Sequence, residues 1–200
     1  MLSIFILFLA ETSKAQLCTG SLGDPVVNIT FGSGANPGPA LPAASTNYSY
    51  VINGCPSDGS YTVANSTSGC FASTWHTLTE DHTPGDVNGY MMLVNASFSP
   101  SVFYLDTVRN LCGGTTFEFS AWMTSVLKSS ACNGNGNMPN ITFSIETTTG
   151  TLIQQPYNTG NIPNLSSPQW AQYGFFFTLP PNVTDIVLRM TNNEIGRAHV

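Results

Sequence analysis

Apolar and polar residues alternate at every second position through most of this chain, and no long stretch repeats at the helical period. In TTFEFSAWMTSV, Phe117, Phe119, Ala121 and Met123 fall on one side, with Glu118, Ser120, Trp122 and Thr124 on the other. In NITFSIET, Ile141, Phe143 and Ile145 oppose Thr142, Ser144 and Glu146. In TDIVLRMT, Ile186, Leu188 and Met190 oppose Val187 and Arg189. WAQYGFFFTL is apolar on both sides, which predicts a strand in the middle of a sheet.

The same pattern predicts strands over Val26–Phe31, Tyr48–Asn53, Ser60–Asn65, Gly89–Ser97 and Val102–Val108. It continues with Thr115–Val126, Asn140–Thr148, Thr151–Gln155, Gln169–Leu179 and Thr184–Thr191. Gly, Pro, Asn and Ser clusters separate them, among them GSGANPGPALPAAS, NGNGNMP and NTGNIPNLSSP. Short strands at this spacing with no helices between them mean an all-β protein: an antiparallel β-sandwich or jelly roll.

Composition narrows the class further. Charged residues are 8% of the 200 residues, against roughly 25% in ordinary soluble proteins. Net charge is −6, with 5 Lys and Arg in all. That is too few for a phosphate-binding patch, so nucleic acid is excluded as a partner.

The apolar run Leu2–Ala10, followed by Ser13 and Ala15 ahead of Gln16, predicts a signal peptide over residues 1–15. The missing basic residues before the run point to a start further upstream. The run is shorter than the ~20 residues that span a bilayer, so no stable membrane span remains after processing. Export suits the 5 cysteines, for which Cys55–Cys70 and Cys112–Cys132 are local pairing candidates, although spacing alone does not fix connectivity. Cys18 is then left over, either as a free thiol or with a partner outside this sequence. At the other end, Glu194–Val200 reads EIGRAHV, the in-frame translation of a common sequencing adapter. Residues 194–200 are therefore read as an artefact, and residues 16–193 as a domain cut before its closing strand.

GDPVVNITFGSG, TWHTLTEDHTPGDVNGYMMLVNAS, FEFSAWM, ITFSIETTTGTL and QWAQYGFFFTLPPNVTDIVLRMTNN together resemble the N-terminal domain of large bacterial surface proteins. Those proteins end in a gliding-motility-associated domain and leave the cell by type IX secretion. The order of the last strands also resembles carbohydrate-binding jelly rolls of the galactose-binding-like type. The resemblance implies a secreted cell-surface module for glycan binding or adhesion, part of a larger multidomain protein. In such domains a closing segment follows the TNN, often with a cysteine, and it is not present here.

Candidate chemistry is sparse. Glu80, Asp81, Asp86 and Asn88 in TEDHTPGDVNGY are hard oxygen donors in a glycine-containing loop, so structural calcium is a candidate. The plain alternative is a turn whose Asp and Asn side chains bond their own backbone. His76 and His82 lack a third zinc ligand. No GxSxG motif occurs; Glu118 and Glu146 on neighbouring polar faces can be paired for glycoside hydrolysis, against the plainer reading of two solvated outward carboxylates. The same polar faces carry Trp122, Phe176 and Arg189, an aromatic platform with a planar donor of the kind that holds sugars. The competing reading buries Trp122 and Phe176 under a loop or a neighbouring domain. A non-enzymatic glycan-binding module is thus the leading expectation. A non-catalytic fragment of an extracellular polysaccharide hydrolase and a structural spacer are the alternatives.

Overall fold

The structure is a computed structural model and describes residues 26–193. The expected signal peptide, Cys18 and the 194–200 tail lie outside the described residues. Strands run in the order β1 (Ser49–Tyr50), β2 (Ser60–Ala64), β3 (Met91–Asn95), β4 (Ser101–Val108) and β5 (Thr116–Met123). They continue with β6 (Asn140–Thr147), β7 (Tyr157–Asn161), β8 (Ala171–Thr178) and β9 (Ile186–Asn192). Helix, among the described residues, is confined to turns of three or four residues. Among the described residues no helix is long and apolar enough to cross a membrane.

The architecture is an all-β sandwich. One layer is the four-stranded sheet β4-β9-β6-β7, and facing it is the antiparallel ribbon β5-β8. Alternation decides which side of each faces inward. On β9, Ile186, Leu188 and Met190 are buried while Val187, Arg189 and Thr191 are half-buried. Phe143 of β6 meets Phe119 of β5 edge-on at 5.1 Å, and Tyr157 of β7 stacks on Phe175 of β8 at 5.8 Å. These aromatic pairs join the two layers through the core. The residues that alternate with them point away from each other, on the two outer surfaces of the sandwich.

The third sheet, β1-β2-β3, is covered on both sides. Tyr61, Val63 and Val94 pack into the main core, whereas Met91 and Leu93 pack into a second cluster with Trp75, Leu78, Val126 and Leu127. Two burying faces explain why every residue of β2 is buried. The short β1-β2 pair is parallel, the one departure from antiparallel pairing in these sheets.

Three expectations change. Residues 26–31 and 151–155 form no strand, although Leu152 makes an isolated bridge to Glu146. The segment YNTGN, which reads as loop, is the edge strand β7. It bonds one neighbour only, and Asn158 donates to Thr142 Oγ1 at 3.0 Å, so it needs little apolar alternation. Finally, β8 is not in mid-sheet: it pairs with β5 alone, and its second apolar side, at Phe176, is open to solvent.

Cys55 and Cys70 are bridged. The expected Cys112–Cys132 bridge is not formed: Cys112 is disulfide-bonded, whereas Cys132 carries a free, exposed thiol. The eight extended residues of β5 intervene between them, a length of roughly 23 Å.

Candidate aromatic binding face

The outer surface of β5-β8 is built by register. Glu118 faces Phe176, Ser120 faces Gly174, and Trp122 faces Gln172. Phe176 is 70% exposed and Trp122 48% exposed, so neither belongs to the core. Four strand positions separate the rung of Trp122 from that of Phe176, about 13 Å along the ribbon. Between them Gln172 Nε2 donates to Ser120 Oγ at 2.9 Å, leaving an amide and a hydroxyl on a low floor. The floor is low because Gly174 has no side chain. A Cβ there would lie 2.5 Å from the Phe119 carbonyl oxygen and 2.5 Å from Ser120 Cβ.

His82 stacks over one face of the Trp122 ring, their centroids 3.8 Å apart and their planes at 40°. His82 also approaches Trp170 at 6.0 Å, and Trp170 packs on the second cluster. This contact brings the acidic loop next to the aromatic face, which the sequence did not reveal because 40 residues separate His82 from Trp122. A trough of ≈ 340 Å³ opens there, lined by Glu80, Asp81, His82, Thr83, Gly85 and Trp170.

Within the loop, Asp86 N–H donates to Thr83 O (3.2 Å) and Gly89 N–H to Asp86 O (3.3 Å), closing successive turns. Asn88 takes a positive φ of 58°, as Asn tolerates. The carboxylates of Asp81 and Asp86 converge on Gly89: a Cβ there would meet Asp81 Oδ1 at 2.7 Å and Asp86 Oδ2 at 2.8 Å. Glu80 and Asn88 are exposed. Among the described residues, no group of three or more His, Cys, Asp or Glu side chains is arranged to hold a metal. His76 and His82 do not act together: His76 is buried with Nε2 3.0 Å from Leu165 O, while His82 stacks on Trp122.

Arg189 and Glu146 do not share the Trp122 surface. They lie on the outer side of the four-stranded sheet, across the core from Glu118, Trp122 and Phe176. Arg189 Nε and Nη2 donate to the two Glu146 carboxylate oxygens at 2.9 and 3.0 Å, and Ser144 Oγ adds a contact at 3.3 Å. The single platform of Trp122, Phe176 and Arg189 is therefore not formed. Glu118 and Glu146 face opposite ways and cannot flank one glycosidic bond.

No known protein family and no curated protein matches the sequence. The enzymatically active domain of tailspike protein 4 from bacteriophage CBA120 is similar in structure, with a TM-score of 0.42 and 12% identity. The match covers 76% of this chain and 17% of that chain. Overlap at that level assigns no function to the chain described here.

Proposed function

We propose that this chain is a non-catalytic glycan-binding module of a larger secreted surface protein, and that the outer face of β5-β8 is its binding surface. One observation carries the reading: Phe176 is largely exposed and Trp122 about half exposed on one strip, with Ser120, Gln172 and Glu118 beside them. A sugar ring offers an apolar C–H face and a rim of hydroxyls. Aromatic rungs take the first, and amide, hydroxyl and carboxylate groups take the second. His82 holds the Trp122 ring in place before any ligand arrives, which lowers the entropy lost on binding. Arg189 takes no part, because its guanidinium is already paired on the opposite surface.

Affinity electrophoresis through gels containing neutral polysaccharides tests this. The wild type should be retarded by at least one of them, with a Kd in the micromolar-to-millimolar range (about −8 to −4 kcal/mol). Trp122→Ala should lose roughly 1 kcal/mol of that affinity, with thermal unfolding little changed because the ring is about half in solvent. Equal mobility in every gel, or a Trp122→Ala protein that unfolds, would leave a structural role for the face instead.

A further inference from the structure

A second opening in the surface shares no lining residue with the aromatic face or with the trough beside it. It is a cleft of ≈ 720 Å³ bounded by Ser57 and Asp58, by Phe71, by Phe98 and by the 132–137 loop. That volume lies within the roughly 300–1,000 Å³ usual for small-ligand sites.

Two phenyl rings stand at its edge. Phe98 is 71% exposed, and Phe71 is 47% exposed although it packs on Trp75 at 4.9 Å. Phe71, Ala72 and Ser73 have consecutive positive φ values of 51°, 54° and 63°, a conformation that L-residues avoid. The Cys55–Cys70 disulfide ties this turn to the chain that leads into Ser57 and Asp58, so one covalent link fixes two walls of the cleft. Ser57, Thr74, Asn135 and Asn137 supply hydroxyl and amide groups between the rings.

Asn95 lines the cleft and is 0% exposed. Its Nδ2 donates to Pro56 O at 2.9 Å, but its Oδ1 has no hydrogen-bond partner. A buried acceptor without a donor is unfavourable, and a small shift of the Asn95 side chain toward the cleft would let an entering hydroxyl supply one. No Lys or Arg lines the cleft, and Asp58 is its acid, so phosphate, sulfate and uronate groups are disfavoured. Ligands that match exposed rings, amides and an unmet acceptor, yet carry no negative charge, are neutral and hydroxyl-rich.

We propose that this cleft is a second binding site, independent of the β5-β8 face, for a neutral oligosaccharide. The observation behind it is the juxtaposition of two exposed phenyl rings with the unpartnered amide oxygen of Asn95 in a cleft free of cations.

Cys132 places a free thiol on the lining and serves as a local reporter. The full chain, unreduced, is treated with N-ethylmaleimide, and the modified Cys132 peptide is quantified by mass spectrometry over time. Cellohexaose, xylohexaose, mannohexaose and chitohexaose are each added at millimolar concentration, alongside oligogalacturonate and anilinonaphthalene sulfonate. At least one neutral hexaose should slow labelling of Cys132, and oligogalacturonate should not. Phe98→Ala removes an exposed ring, so the fold is kept, and should weaken protection about fivefold. Leu152→Ala, an exposed apolar position outside both surfaces, should leave protection unchanged. The label reads the cleft alone, so failure of glycan binding at Trp122 does not decide this result. Unchanged labelling with all four hexaoses would overturn the proposal. So would protection by anilinonaphthalene sulfonate alone or oligogalacturonate alone, or full protection in Phe98→Ala.

Discussion

Arg189 and Glu146 show how one pairing redirects a functional assignment. From alternation, Arg189 is simply an outward cation on the last strand, free to meet a ligand. In the folded chain it makes a two-pronged contact to Glu146, and their side chains are 30% and 15% exposed. A pair at that depth lies between an exposed ion pair and a buried one, so removing one partner should cost about 1–2 kcal/mol. Arg189→Ala should therefore lower the midpoint of urea unfolding while polysaccharide retention stays at the wild-type level. Loss of retention with unchanged stability would return Arg189 to the binding surface. The partner of an arginine is set by which strand lies beside it, and β9 pairs directly with β6 although β7 and β8 come between them in the chain. Sequence spacing between residues 146 and 189 carries no trace of that.

At the scale of elements, Gly174 decides whether the β5-β8 ribbon keeps its shape. The two strands approach closely at this point, and a methyl group would press on the Phe119 carbonyl and Ser120. Gly174→Ala should destabilise the domain by roughly 1–3 kcal/mol, the usual cost of forcing volume into a packed contact. It should also weaken glycan binding by separating the rungs of Trp122 and Phe176. An alanine protein with wild-type unfolding and binding would show that the ribbon has slack there. Strands rich in apolar residues were legible in the sequence, whether buried on one side, as β9, or on both, as β2: β2 to β6, β8 and β9 all lie within predicted segments or one residue beyond them. The polar edge strand β7 was not legible, since beyond Tyr157 it carries no apolar residue and its Asn and Thr side chains hydrogen-bond to β6. Trp122, Phe176 and Glu118 lie together on the outer face of the ribbon. Their contact with the His82 loop depends on long-range packing and left no local signal.

Across the whole molecule, one hydrophobic cluster joins the sandwich to one side of β2-β3 and a second covers the other side, and the Cys55–Cys70 link belongs to the second. Closing a loop with a sequence separation of 15 should contribute up to ~3 kcal/mol. Cys55→Ser with Cys70→Ser should lower stability by about that amount in denaturant titration. A loss near zero would mean that the Phe71 turn is held by packing alone. The central claim concerns the other outer surface, and the three tryptophans distinguish its outcomes. Trp75 is fully buried in the second cluster, Trp170 is half-buried beside His82, and Trp122 is open on the ribbon. The most direct measurement is a titration of the nitrogen-15-labelled domain with the best-retained polysaccharide fragment, following the three indole N–H signals. Binding at the β5-β8 face should shift the Trp122 signal in proportion to occupancy while the Trp75 signal stays fixed. A saturable interaction that leaves Trp122 unmoved, or no shift with any glycan, would contradict the assignment of this face.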